Sequence, residues 1–271
     1  VQDLHTLDDS IFYRTEQTSS WRTNADHFQG NFNEGLAYGY MPLSSYSSTY
    51  NSNIMAFYNK CGYSVYRLLI TWCEPILSSD SLLGIKYILG DFTQSGYEKV
   101  NDTGYNNKNI YRNPYALKLG YKTSDDISSE IQADNIFEYQ NALLSRIVGH
   151  PVQCYKTCTA EKTKSNDGYS WTVTSPEQDS VLYGYCNYTS GNDLNLYIDG
   201  ILRTKYSIWS AYKTFQVGDG NTPAHIVQLK GTLQRSREID GVFYYLDMQE
   251  FRDVMSEISQ NQVTTLDLQD K

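Results

Sequence analysis

Leu194-Asn195-Leu196-Tyr197-Ile198, followed by Asp199-Gly200 and Ile201, is the most informative run in this chain. The first five residues read as a short strand. Asp-Gly set between Ile198 and Ile201 is a strong hairpin signal, because both central residues of a type I′ turn need positive φ. Outward from this hairpin the pattern repeats. Trp171-Thr172-Val173-Thr174 and Val181-Leu182-Tyr183 lie upstream of it. Thr214-Phe215-Gln216-Val217, Ala224-His225-Ile226-Val227-Gln228-Leu229 and Val242-Phe243-Tyr244-Tyr245-Leu246 lie downstream, separated by Gly-rich turns. Short strands at such spacing favour a β-sandwich. The expected fold class is α+β. A mixed α/β portion over 1–150 is followed by an antiparallel, jelly-roll-like β-sandwich over 151–250, with a helix and strand over 251–271.

The N-terminal portion carries both periods. Ile11-Phe12-Tyr13-Arg14-Thr15-Glu16 alternates and reads as a strand. Residues 17–50 are rich in Ser, Asn, Gly and Tyr and lack sustained helical periodicity; a structureless loop this long inside a domain is usually functional or misread. Ile54, Phe57, Tyr58 and Cys61 share one helical face, with Asn51 or Ser52 as cap and Gly62 as left-handed stop. Residues 65–70 and 85–89 read as strands, 91–109 as an exposed polar loop, and Asn113-Pro114 as a turn before the apolar 116–121. A second helix is predicted over 134–148. Ile136, Gln140, Leu143 and Ile147 line one face, Phe137 and Leu144 stand beside it, and Gly149-His150-Pro151 ends it at the domain boundary. Asp247 with Glu250 makes an acidic variant of the capping box ahead of the stripe Phe251, Val254, Met255 and Ile258. Residues 262–266 read as one more strand.

Composition excludes several classes. The net charge is −9, with 22 Lys and Arg against 31 Asp and Glu. Affinity for nucleic acid is dominated by phosphate neutralisation, so no nucleic-acid partner is expected. The same balance gives no reason for adsorption to an anionic membrane surface. No stretch approaches the run of about 18 apolar residues a membrane helix needs. The chain opens at Val1 without a signal-peptide pattern and reads as a piece of a longer protein. Its 25 tyrosines suit polar-topped cores, sheet faces and sugar-facing surfaces alike. Cys61, Cys73, Cys154, Cys158 and Cys186 are too few and too irregular for a disulfide framework, and Cys154 and Cys158 lack the second pair a zinc site requires. These two are either buried unpaired thiols or a local disulfide.

Self-contained catalytic motifs are missing. His5, His27, His150 and His225 are scattered, and His150 beside a helix end reads as a cap on carbonyls. There is no G-x-S-x-G elbow, P-loop or full G-x-G-x-x-G; Gly218-Asp219-Gly220 reads as a turn. Asp125-Asp126 precede Ile127 as helix-start carboxylates rather than metal ligands. Asn101-Asp102-Thr103 and Asn187-Tyr188-Thr189 match the glycosylation sequon by composition alone. The stretch that points to binding runs from Asn31 through Gly35 and Gly39 to Thr49. Gly between aromatics lets the backbone approach a partner, and Tyr and Ser hydroxyls offer donors and acceptors that suit a glycan or polyol phosphate. The competing reading is a packed loop whose Ser residues satisfy its own backbone. Candidate ligand contacts are Arg14, Glu34, Tyr38, Tyr40, Tyr46, Ser47 and Ser48. No catalytic residue, metal ligand or cofactor is assigned.

Phe12-Tyr13-Arg14-Thr15-Glu16, then Glu34-Gly35, Tyr38-Gly39 and Ser47-Ser48, resemble the extracytoplasmic part of the bacterial membrane-protein family called YfhO. Leu82-Leu83-Gly84-Ile85-Lys86-Tyr87-Ile88-Leu89, Asn113-Pro114-Tyr115-Ala116-Leu117-Lys118-Leu119-Gly120-Tyr121, Phe137-Glu138-Tyr139-Gln140-Asn141 and Leu196-Tyr197-Ile198-Asp199-Gly200 follow in order. The resemblance therefore covers about 11–260. Lys118 stands where proline is expected and Tyr139 where Asn is expected. The resemblance implies a multi-pass protein with a C-type glycosyltransferase-like membrane fold, adding sugars to teichoic acids outside the cell from an undecaprenyl-phosphate-linked donor. It also implies a catalytic acid on an early loop that is not recognisable in this chain. On that footing these residues position a teichoic-acid or glycan acceptor, or brace their own transmembrane region, and 251–271 lead back toward a membrane segment. The rival from another class is a free-standing cell-surface glycan-binding or adhesion module; a secreted glycoside hydrolase is a third.

Overall fold

In the computed structural model the described residues are 12–18, 33–66, 69–71, 74–90, 92–100, 109–118, 120–124, 127, 129–188, 192–206, 214–232 and 238–263. His5, His27, Cys73, Asp125, Asp126, Thr189, the 101–103 sequon and 264–266 of the expected last strand lie outside them.

The N-terminal portion is built from β1 (Arg14–Gln17), α1 (Glu34–Tyr38), β2 (Ser45–Tyr46), α2 (Ser52–Lys60), β3 (Ser64–Tyr66), β4 (Leu69–Thr71), α3 (Leu77–Leu82), β5 (Ile85–Gly90), β6 (Glu98–Lys99), β7 (Asn109–Arg112) and α4 (Ile136–Val148). One sheet runs β1-β5-β7-β6, with β1 parallel to β5 and the other pairs antiparallel; a smaller one runs β2-β4-β3. The single strand expected over 65–70 is two antiparallel strands, with Val65 opposite Ile70. The polar run 91–109 is not simply an exposed loop: Gln94 and Tyr97 are buried and Glu98–Lys99 pairs with β7. Asn51 caps α2 through its side chain, which accepts from Asn53 N at 2.8 Å. Asn135 does the same for α4, accepting from Phe137 N and Glu138 N, and Gly149 closes that helix at φ 86°. His150 does not cap it; its Nε2 lies 3.0 Å from Glu257.

The sandwich follows as β8 (Tyr155–Thr157), β9 (Thr159–Lys164), β10 (Gly168–Thr174), β11 (Ser180–Cys186), β12 (Leu194–Ile198), β13 (Ile201–Tyr206), β14 (Phe215–Asp219), β15 (His225–Lys230) and β16 (Gly241–Asp247), then α5 (Met248–Gln260). A five-stranded sheet in the order β13-β12-β15-β10-β9 faces a four-stranded sheet in the order β14-β11-β16-β8. Asp199 at φ 52° and Gly200 at φ 78° make the expected tight turn, with Ile198 opposite Ile201. Asp199 also ties the turn to the next strand. Its carboxylate accepts from Ile226 N at 2.8 Å and lies 2.7 Å from His225 Nδ1, while His225 Nε2 faces the Asp219 carbonyl at 3.0 Å. Gly218 belongs to β14, not to a turn, and the His225 ring fills the space its side chain would occupy.

Period-two alternation explains why the four-stranded sheet is buried on both faces. Leu182, Cys186, Phe243 and Tyr245 point into a core with Trp171, Val173, Leu196 and Leu229 of the five-stranded sheet. Their neighbours Val181, Tyr183, Tyr185, Tyr244 and Leu246 point the other way, into a core with Phe137, Leu144, Tyr155, Phe251 and Met255. The layers are thus sheet, sheet and helices, and the second core reaches from Leu43 to Ile258. Phe137 is its hub, stacked on Tyr244 with ring centres 4.8 Å apart and tilted against Tyr155 and Tyr183. The result is an α+β fold, mostly β, as expected from the sequence.

Two local expectations differ. Asp247 caps α5 by accepting from Gln249 N and Glu250 N, both at 3.1 Å, but Glu250 does not reach back to close the box. It accepts from Gln153 N at 2.7 Å and pairs with Lys156 instead. Of 262–266, Gln262 forms a single bridge with Tyr121. Cys61, Cys154, Cys158 and Cys186 are free thiols, so Cys154 and Cys158 are unpaired.

Candidate binding ledge

Residues 33–50 fold back on β1 as a ledge held from three sides. Asn33, at φ 61°, opens α1, and Gly39, at φ 72°, closes it with its N–H on the Gly35 carbonyl at 2.8 Å. The Asn33 amide then clips the far arm of the loop. It donates to Tyr46 O and accepts from Tyr46 N, each at 3.2 Å. Gly35 sits where the loop crosses itself; a side chain there would run into Pro42 and the Tyr40 carbonyl, so only glycine fits.

The third anchor is Glu16. Thr15 N donates to Met41 O at 3.0 Å, which lays the loop along the strand. Glu16, fully buried, accepts from Leu43 N, from Ser44 N at 2.7 Å and from Ser44 Oγ at 3.1 Å. Burial pushes its carboxyl up to about 8 despite these bonds, and the nearby Asp80 carboxylate adds to the rise. Gln17 Nε2 donates to Tyr40 Oη at 3.3 Å.

So anchored, the ledge presents large side chains to solvent: Leu36 is 86% exposed, Tyr38 54%, Met41 52% and Tyr46 52%. Ser48 is also exposed, and Ser47 Oγ closes a turn with Thr49 N at 3.3 Å. Of the residues expected to contact a ligand, the fold brings Tyr38, Tyr40, Tyr46, Ser47 and Ser48 onto this one loop. Glu34 lies in α1. Arg14 is half-buried, donates to the Leu83 carbonyl and lies 5.2 Å from the centre of the Phe12 ring. Asn33 and Glu16, which shape the ledge, are not among the site residues the sequence nominates. The one signal for Glu16 is its place at the end of the Phe12–Glu16 run.

A second polar cluster is internal. Every residue of α3 is buried, and Asp80 on it accepts from Tyr63 Oη at 2.7 Å, Tyr97 Oη at 2.6 Å and Ile76 N at 3.2 Å. Burial and this carboxylate hold both phenols well above the ordinary tyrosine range. Ser78 Oγ meets Tyr155 Oη at 2.7 Å and also bonds Gln140. With no solvent-facing member, this cluster joins α3 to α4 and β8 and serves the fold. Among the described residues no group of three or more His, Cys, Asp or Glu is gathered to hold a metal.

These features define a layered α+β domain with an aromatic ledge anchored by hydrogen bonds. Among the described residues no helix is long and apolar enough to cross a membrane. The family described as "Bacterial membrane protein YfhO" matches residues 1–271, and the chain belongs to it. No curated protein and no solved structure matches the chain.

Proposed function

We propose that this chain is the extracytoplasmic domain of a membrane protein that glycosylates cell-envelope polymers, teichoic acids, from a polyprenyl-phosphate-linked sugar. In this reading the ledge holds the acceptor polymer and the transfer chemistry resides elsewhere in the parent protein. Supporting it is one observation above others. In a chain whose tyrosines largely pack inside, Tyr38 and Tyr46 are held half exposed beside Ser47 and Ser48 by Asn33 and Glu16. Aromatic faces flanked by hydroxyls suit a sugar or polyol-phosphate chain, offering stacking area and both donors and acceptors. Loops carry binding residues when a rigid scaffold positions them.

The test is titration of the domain with soluble glycerol-phosphate and ribitol-phosphate oligomers, with and without sugar, followed by amide chemical shifts. Shifts confined to 38–50, abolished by Tyr46→Ala with the fold intact, support the reading. Saturating polymer that moves no ledge resonance would sink it.

A further inference from the structure

The ledge lies beside the place where both ends of the described fold come together. Arg14 N donates to Gly84 O at 2.8 Å, and Thr15 N to Met41 O at 3.0 Å, so the first strand touches both the ledge and the turn after α3. Gly84 is packed on Leu117 O, with room for no side chain between them. Lys118 N donates to Gln262 Oε1 at 2.7 Å, Tyr121 bridges Gln262, and Val263 N donates to Gly120 O at 2.9 Å. A short relay of contacts therefore links residues 14 and 262, which lie near the first and last of the described residues.

The ledge is also sparse in charge. One-fifth of the chain is charged, yet over 33–50 Glu34 is the only charged residue. Its exposed large hydrophobic side chains are Leu36, Tyr38, Met41 and Tyr46. An aromatic and aliphatic surface with a single charge, on an acidic protein, suits the level of the lipid headgroups, where tyrosine rings settle with their hydroxyls toward water. The chain belongs to a bacterial membrane-protein family.

We infer that Leu36 and Met41, with Tyr38 between them, rest in the headgroup region of the lipid bilayer, so that the ledge is the membrane-facing surface of this domain. Apolar burial drives this contact, in keeping with the net charge of −9, which offers no attraction to anionic lipid. It shares Tyr38 with the acceptor reading, whose other contacts, Tyr46, Ser47 and Ser48, lie on the hydroxyl-bearing arm. Together they orient the ledge with its Leu36 edge in lipid and its Ser48 edge in water.

The chain is tethered by a C-terminal His-tag to phosphatidylcholine vesicles carrying a nickel-chelating lipid. A nitrobenzoxadiazole probe is placed at Leu36→Cys or at Ile226→Cys, an exposed apolar position on the five-stranded sheet. The native chain, taken through the same labelling, sets the background from its own thiols. Tethering is expected to blue-shift and brighten the probe at 36 and leave it unchanged at 226. Without the tether, Leu36→Asp with Met41→Asp is expected to lower vesicle partition by about tenfold or more. No change at 36, an equal change at 226, or unaltered partition of the double variant overturns the inference. A shift at 36 produced by soluble glycerol-phosphate polymer in the absence of vesicles also overturns it, by making that edge part of the acceptor surface. Failure of polymer to bind at Tyr46 leaves the lipid result standing, so the two readings fail separately.

Discussion

In the four-stranded sheet Tyr155 and Tyr183 are fully buried, with their hydroxyls on Ser78 Oγ and Leu77 N, whereas on the ledge Tyr38 and Tyr46 stand half exposed. The same residue type thus serves two purposes in one chain. Inside, each ring fills space and each hydroxyl finishes the hydrogen bonding of α3, whose polar side chains would otherwise be costly to bury. On the ledge the rings have no such covering. They are held in place by the backbone, through Asn33, Gly35 and Glu16. The difference teaches that a high tyrosine count marks no site by itself. What separates the two populations is their setting: the core rings alternate along strands or lie on buried elements, and the ledge rings alternate with Gly and Ser.

The largest expected effect falls on the core side. Phe137→Ala removes a fully buried ring that contacts Tyr155, Tyr183, Tyr185 and Tyr244, and should destabilise the fold by about 3–5 kcal/mol in urea denaturation. A loss below 1 kcal/mol would show that the helices are not packed on the four-stranded sheet.

Glu16 joins the two regions, and its expected signature is a pH dependence. Its carboxyl rises from 4.5 to about 8 in the folded protein, chiefly through burial. Between those values the unfolded chain releases this proton and the folded chain keeps it, so Glu16's contribution to stability is full at low pH and falls as pH rises through the window. Glu16→Gln removes that slope. The gap in urea midpoint between pH 5 and pH 8 should shrink in the variant relative to the native chain; an unchanged gap would mean that Glu16 keeps its ordinary value.

How much of this was legible in sequence follows from the range of the interactions. The β12–β13 hairpin, α4 and the apolar stripe of α5 were readable because period and cap residues sit within a few positions of each other. Leu77-Ser78-Ser79-Asp80-Ser81-Leu82 carries no sign of a buried helix, since three serines and an acid have no apolar stripe. Its partners, Tyr63, Asn113, Gln140 and Tyr155, are distant in the chain. The ledge was visible as composition, but its anchors were hidden for the same reason: Glu16 binds residues 27 and 28 positions away. The alternation that made Glu16 a strand residue said nothing about which side of that strand is covered.

Asp199 offers a smaller test within the sandwich. Asp199→Ala deletes the acceptor for Ile226 N and the partner of His225 Nδ1, and leaves a non-glycine residue at φ 52° without its local hydrogen bond. A loss of about 1–3 kcal/mol is expected. Asp199→Gly should lose less, because it relieves the left-handed backbone while removing the same side chain. Equal losses would assign the whole effect to the side-chain bonds and none to the turn.

The smallest stability effect is expected where the functional effect is greatest. Tyr38→Ala and Tyr46→Ala each truncate a ring that is half in solvent, so each should change stability by no more than about 0.5 kcal/mol. Asn33→Ala is the informative companion. It leaves both rings in place but removes the two 3.2 Å bonds that clip Tyr46 to the start of α1, and Asn33 holds a left-handed conformation that alanine disfavours. If the ledge binds as a preformed surface, Asn33→Ala should weaken glycerol-phosphate polymer binding nearly as much as Tyr46→Ala, because the loop must then be ordered at the moment of binding. If polymer affinity survives Asn33→Ala and falls only with Tyr46→Ala, the ring acts alone and the rigidity of the ledge is incidental to recognition. A Tm drop from Tyr38→Ala comparable to that of Phe137→Ala would erase the distinction between the two regions, since it would make the ledge rings part of the core.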